Sequence, residues 1–138
     1  AQVDRMGRHT GGPVAKNHSP GFLKLVDAAK GRVPEIAAAD VVEMVARGET
    51  LTLIDVREDR EWAAGHAADA VHMSKGVIER DVEARYPDKD TLLILYCGGG
   101  YRSALAADAL QLMGYRRAVS MDGGWRGWLA ADGPTRLP

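Results

Sequence analysis

Five consecutive apolar residues, Leu92-Leu93-Ile94-Leu95-Tyr96, constrain this chain more than any other feature. A strand with one wet face alternates apolar and polar side chains, so an unbroken run fits a central strand covered on both faces. Double coverage calls for a layered α/β architecture with a mostly parallel sheet. Directly after the run come Cys97-Gly98-Gly99-Gly100-Tyr101-Arg102 and then a strongly helix-favouring stretch, Ser103 to Met113, stopped by Gly114. The cysteine is thereby predicted between the carboxyl end of a buried strand and the N-terminus of a helix.

The rest of the chain repeats this alternation from Val33 onward. Short β-type runs are predicted at Val33 to Ile36, Leu51 to Val56, Val71 to Met73 and Ala118 to Met121. Helical segments fall between them. Val41, Val42, Met44 and Val45 lie in a helix closed by Gly48, Asp59 to Ala64 gives a short one, and Val77, Ile78, Val82 and Tyr86 suit another that ends before Pro87. Trp125 and Trp128, three apart on a further predicted helix, are expected to pack on the sheet.

Residues 1–18 carry no apolar period and contain the turn signal Gly11-Gly12-Pro13, so they read as an arm in which His9 and His18 are solvated. Ser19-Pro20 then places an N-cap before a proline at the first helical position, and Gly31 ends a short helix whose apolar face carries Phe22, Leu23, Val26 and Ala29. Arg5, Arg8, Lys16, Lys24, Lys30 and Arg32 make this region locally basic, most simply as a solvated face.

At 138 residues, 46% hydrophobic and 27% charged, the chain fits one folded domain, and its net charge of -1 provides no broad footprint for nucleic acid or an anionic membrane. No apolar run reaches the roughly 20 residues needed to span a bilayer. A cytoplasmic location is the default expectation, and the start at Ala1 leaves an exported form after signal removal open. A single cysteine excludes an intrachain disulfide and a CxxC redox pair. His66 and His72 lack a carboxylate cluster at ligand spacing, so no metal or other cofactor is expected.

A lone cysteine is more often an inert buried residue than a reactive one. Position reverses that expectation for Cys97. Ligands of open α/β sheets bind at the carboxyl ends of strands, where the next helix offers unpaired N–H groups and the positive end of its dipole. Three glycines allow several amides to turn inward as an anion-binding nest, and Arg102 adds a permanent charge. Together these features lower a thiol pKa and favour the nucleophilic thiolate.

Three motifs in order resemble those of single-domain rhodaneses. They are Leu53-Ile54-Asp55-Val56-Arg57 followed by Glu61-Trp62 and Gly65-His66, the loop Cys97 to Ser103, and Asp122-Gly123-Gly124-Trp125 with Trp128. The resemblance runs from about Val33 to Pro138, making residues 1–32 an arm with an appended helix and 33–138 a rhodanese-like three-layer α/β domain, its central mostly parallel sheet flanked by helices. It implies a sulfurtransferase that moves sulfane sulfur from a small donor such as thiosulfate to an acceptor such as cyanide, a thiol or an acceptor protein. Cys97 would carry the sulfur as a persulfide. Gly98, Gly99, Gly100, Tyr101, Arg102 and Ser103 would cradle it, with Arg102 orienting an anionic donor and Tyr101 at the mouth.

Asp55 and Arg57 are expected to support the site by tying neighbouring loops together, with Glu61 placed to pair with Arg57. The related cysteine-dependent phosphatases place five residues between Cys and Arg, whereas this chain has the four from Gly98 to Tyr101, which favours sulfur over a phosphoryl group. A phosphatase or arsenate reductase, and a rhodanese-like module that binds or senses a partner without turnover, are the alternatives. Two departures stand out. Gly65-His66-Ala67-Ala68-Asp69-Ala70 replaces the common Gly-His-Ile-Pro-Gly-Ala, with Ser74 at a frequent proline position. The loop also lacks a second basic residue next to the cysteine, so affinity for thiosulfate is expected to be modest.

Overall fold

The structure is a computed structural model that describes residues 18–138. The predicted arm therefore lies, apart from His18, outside the described residues, as do His9, Arg5, Arg8 and Lys16. The elements in chain order are α1 (Pro20–Lys30), β1 (Glu35–Ala37), α2 (Ala38–Ala46), β2 (Thr52–Asp55), α3 (Asp59–Ala63), β3 (His66–Ala67), β4 (Val71–His72), α4 (Ile78–Arg85), β5 (Leu93–Tyr96), α5 (Tyr101–Leu112), β6 (Ala118–Asp122), α6 (Gly124–Ala130) and β7 (Thr135–Arg136).

β5 lies at the centre of a five-stranded sheet of order β1-β6-β5-β2-β4, in which every pairing is parallel. All four of its residues are fully buried, and they divide between two cores. Leu93 and Leu95, followed by Cys97, face a cluster with Ile78 and Val82 of α4 and Ala106, Ala107 and Leu110 of α5. Ile94 and Tyr96 face a second cluster with Ala38 and Val41 of α2 and Trp128 of α6. The period of two along an all-apolar strand thus feeds both faces, as the unbroken run required. α1 packs on the outer side of α5 through Val26 and Ala29.

Most predicted boundaries shift by no more than one residue, and two shift by two. The first strand starts at Glu35 rather than Val33, because the amides of Arg32 and Val33 still bond to Ala29 O at the end of α1 and Pro34 has no N–H to contribute. α5 begins at Tyr101, two residues before the predicted helical stretch, with Gly100 as its N-cap at φ 98. The pattern also gave no sign of the two-residue antiparallel pair β3–β7, in which His66 faces Arg136 and Ala67 faces Thr135. Two-residue strands carry no readable alternation.

A buried polar network joins the sheet to the loop after β2. Asp55 is fully buried and Arg57 is 4% exposed. The Arg57 guanidinium donates to both Asp55 oxygens at 2.7–3.0 Å and to Gly65 O at 2.7 Å. Tyr96 Oη donates to Asp55 Oδ2 at 2.7 Å and accepts from Ala67 N at 3.1 Å. Burial, with Asp55 beside it, pushes the Tyr96 hydroxyl far above its ordinary pKa, so it stays a donor. Every charge here has a partner, and removing one leaves another stranded. Arg57→Met is expected to cost about 3–5 kcal/mol in chemical denaturation, and removing both charges together with Asp55→Leu should recover much of that loss.

Candidate active site

Cys97 follows β5 at the carboxyl edge of the parallel sheet and is 1% exposed. Its Sγ accepts hydrogen bonds from Gly100 N at 3.1 Å and from Ser103 N at 3.4 Å, while the Ser103 hydroxyl lies 3.5 Å away. Ser103 Oγ is itself 2.8 Å from Ser120 Oγ, which holds it on the sulfur side. Burial pushes the Cys97 thiol up, but the Ser103 hydroxyl and the amides of Ser103, Gly99 and Gly100 together outweigh it and bring the pKa below its ordinary value.

The start of the loop is held from α6. The first two N–H groups after Gly124, those of Trp125 and Arg126, donate to Cys97 O at 2.7 Å and to Gly98 O at 3.2 Å. Two carbonyls are thereby held against α6, and the amides of the same two peptide units, Gly98 N and Gly99 N, point the other way, with Gly99 N acting on the sulfur. The contact requires glycine. A Cβ on Gly124 would collide with the carbonyls of Cys97 and Gly98, and this residue also has φ 55.

Arg102 sits at the mouth of the loop, with Nη1 and Nη2 donating to Glu61 at 2.8 and 3.1 Å. Glu61 therefore pairs with Arg102 and not with Arg57, whose Nε and Nη2 are turned to Asp55 and Gly65. The Arg102 hydrogen bonds hold Glu61 near a pKa of about 2 against the opposing effect of burial. The capping of α3, in which Glu58 N donates to Glu61 Oε2 at 2.9 Å, fixes the same carboxylate.

A cavity of about 510 Å³ opens above the sulfur. It is lined by the charged side chains of Glu58, Glu61, Arg102 and Arg126 and by the rings of His18, Phe22 and Tyr101. Arg126 was missed by sequence reasoning, since it lies 29 positions from the cysteine and only the bond between α6 and the loop brings it near. Its guanidinium lies against Gly98 and Gly99, so the second basic group that the loop itself lacks comes from α6. His18, expected to be solvated, is half-buried and packs on Tyr101 at 4.6 Å and on Phe22 at 5.1 Å.

The remaining predicted residues have structural placements. Trp62 stacks on His66 at 3.4 Å and on His72 at 4.9 Å, and His72 Nε2 donates to Arg57 O at 2.8 Å. Trp125 covers the Arg57 guanidinium at 4.8 Å, and Trp128 is buried under the sheet. Among the described residues no group of three or more His, Cys, Asp or Glu side chains is placed to hold a metal ion. No helix of the described residues is long and apolar enough to cross a membrane.

Residues 37–131 match the family model of the rhodanese-like domain. The chain belongs to the rhodanese-like family. It is 36% identical over 96 residues to the Bacillus subtilis protein named "Putative sulfurtransferase YtwF", covering 70% of this chain and 90% of that one. Another curated relative is matched over 51% of its length, so this chain spans about half of it. Among solved structures, a Rhodopseudomonas palustris protein described as of unknown function and a "Possible Tyrosine Phosphatase" superposes with a TM-score of 0.78 at 25% identity, covering 91% of this chain and all of that one. The polysulfide-sulfur transferase homodimer of Wolinella succinogenes gives a TM-score of 0.70 at 27% identity, covering 86% of this chain and 88% of that one.

Two outcomes test these electrostatics. Ser103→Ala should raise the Cys97 pKa, read as an alkaline shift in the pH profile of alkylation, which is unambiguous with a single cysteine. The Glu61–Arg102 pair has the sign of a depressed carboxylate. Its contribution to stability is present above the ordinary pKa of 4.5 and is lost as pH falls toward about 2. The stability gap between wild type and Glu61→Gln, measured by denaturant titration, should accordingly narrow across that window.

Proposed function

We propose that this rhodanese-like chain is a sulfurtransferase in which Cys97 carries a sulfane sulfur as a persulfide. The observation that carries the reading is the convergence of the Gly100 and Ser103 amides on Cys97 Sγ, at 3.1 and 3.4 Å, in a loop that depresses the thiol pKa. The thiolate is the form that attacks sulfur.

With thiosulfate as donor, the Cys97 thiolate attacks the outer sulfur and a new S–S bond forms. The old S–S bond breaks with its electron pair leaving on sulfite. The product Cys–S–S⁻ is an anion placed where amides already point, so the loop that stabilises the thiolate also stabilises the intermediate. Cyanide or a thiolate then attacks the terminal sulfur and regenerates the Cys97 thiolate, with thiocyanate or a new persulfide as product. Neither displacement needs a proton donor or an added oxidant. In this reading Gly98 to Ser103 cradle the sulfur, Arg102 contributes positive potential at the mouth, and Asp55 with Arg57 holds the neighbouring loop.

The phosphatase suggested by the name of the Rhodopseudomonas palustris neighbour fits these side chains less well. Release of an alcohol from a phosphate ester is helped by a general acid. The carboxyl group at the mouth that is bound to Arg102, Glu61, has a pKa of about 2 and is ionised near neutrality. Sulfite leaves without a proton.

Intact-mass measurement after thiosulfate treatment should show one added sulfur on the wild type and none on Cys97→Ser, and cyanide should remove it as thiocyanate. Arylphosphate hydrolysis by the same protein, with no sulfur gained from thiosulfate, would overturn the assignment.

A further inference from the structure

Ser120 of β6 is a buried polar side chain on the face of the sheet that carries Cys97. Parallel pairing sets it beside Leu95 of β5, and Leu95 shares with Cys97 the core beneath α4 and α5. Ser120 and Ser103 are both fully buried. A hydroxyl taken from water into such surroundings costs stability unless it finds a partner. For Ser120 that partner is Ser103 Oγ, 2.8 Å away, and its side chain forms no other hydrogen bond among the described residues. Ser103 Oγ has two neighbours, Ser120 Oγ and, at 3.5 Å, Cys97 Sγ.

The direction of the hydrogen bond between the two serines follows from where each proton can go. Every hydroxyl brings one. If Ser103 donated to Ser120, the Ser120 proton would have no acceptor among the described residues. With Ser120 as the donor, the Ser103 proton is free for the sulfur and both protons are used. Accepting a bond from Ser120 also polarises the Ser103 hydroxyl and makes it a stronger donor. The chain of donors therefore runs from Ser120 through Ser103 to Cys97 Sγ.

We infer that Ser120 is a positioning residue for the sulfur chemistry, donating to Ser103 Oγ and so committing the Ser103 hydroxyl to Cys97 Sγ. The inference rests on the sulfurtransferase reading for the step it serves, and the chain of donors stands without that reading. The step is discharge. When cyanide attacks the terminal sulfur of the persulfide, the S–S bond breaks and its electron pair returns to Cys97 Sγ, where a donor helps the thiolate leave. Loading starts from the thiolate, which the same donor makes a weaker nucleophile. Charged and titratable groups also surround the sulfur. Arg102 of α5 interacts with Cys97 by charge, and Glu58, Glu61, Arg126, His18 and Tyr101 line the cavity above it. None of them bonds to Ser120, so substitution of this serine leaves their contacts in place.

Alkylation of the full chain by iodoacetamide across pH reads the Cys97 thiolate without any turnover. Ser120→Ala should move the profile to higher pH, lowering the alkylation rate about twofold to fourfold at a fixed pH below the midpoint, as loss of the polarisation of a hydrogen bond to a charged group predicts. Ser120→Thr keeps the hydroxyl in a residue suited to a strand and should follow the wild type. In a Ser103→Ala background, Ser120→Ala should add nothing, because its hydroxyl reaches the sulfur only through Ser103. Above the midpoint, persulfidated Ser120→Ala should yield thiocyanate to cyanide up to about twofold more slowly, and its loading from thiosulfate should be no slower than that of the wild type. Thermal melting of each variant shows whether it is folded. An unmoved alkylation profile, an equal shift in folded Ser120→Thr, a shift that persists undiminished in the Ser103→Ala background, or loading and discharge slowed alike would overturn the inference. A wild type that gains no sulfur from thiosulfate would instead remove the sulfurtransferase reading, and the alkylation profiles would still decide the role of Ser120.

Discussion

Two hydrogen bonds, from Trp125 N and Arg126 N at the start of α6 to the carbonyls of Cys97 and Gly98, hold the chemistry of this fold in place. A glycine-rich loop left to itself samples many backbone conformations and has no reason to aim its amides at sulfur. Fixing two successive carbonyls on one side turns the N–H groups of the same peptide units, Gly98 and Gly99, to the other side, and the chain then enters α5 with the Gly100 and Ser103 amides on the sulfur. The same contact carries Arg126 to the mouth and requires Gly124, whose missing side chain lets the two backbones touch. The Asp122-Gly123-Gly124-Trp125 motif therefore acts through geometry, without touching the sulfur.

Electrostatics around this loop are arranged in layers of decreasing burial. Innermost is the neutral Tyr96 hydroxyl with the buried Asp55–Arg57 pair, which ties β5 to the chain around Gly65 and Ala67. Next is the sulfur, whose thiolate is favoured by amide and hydroxyl dipoles that need no counter-ion within the core. Outermost are Arg102, spoken for by Glu61, and Arg126, open to ligand. Positive potential in the outer layer lies over a thiol whose pKa is lowered in the middle one, and the net charge of -1 for the whole chain shows that this positive region is local.

Much of the architecture was readable because its signals are short-range. The apolar run of β5, the glycine at its carboxyl end and the helix-favouring stretch after it placed Cys97 correctly between strand and helix. Proline at the start of α1 and glycine at its end placed that helix to the residue. The failures share a cause, which is that they are contacts across large sequence separation. Glu61 seemed suited to Arg57, four residues away, yet it bonds to Arg102, 41 residues on, because Arg57 turns inward to the buried Asp55. His18 read as part of a solvated arm and instead forms a wall of the cavity. Nothing local distinguishes a paired surface residue from an unpaired one.

By itself the sequence determined the class of fold, the order of the main elements and the place of the lone cysteine after the central strand, because periodicity, turn residues and an unbroken apolar run are properties of neighbours along the chain. Tertiary structure alone decided the reach of that cysteine. It tied the start of the loop to α6, supplied from Arg126 the positive group missing beside Cys97, and brought α1 over the mouth. Each of these decisions joins segments that are distant in sequence and adjacent only after the sheet has formed, and that is the physical reason no reading along the chain contained them.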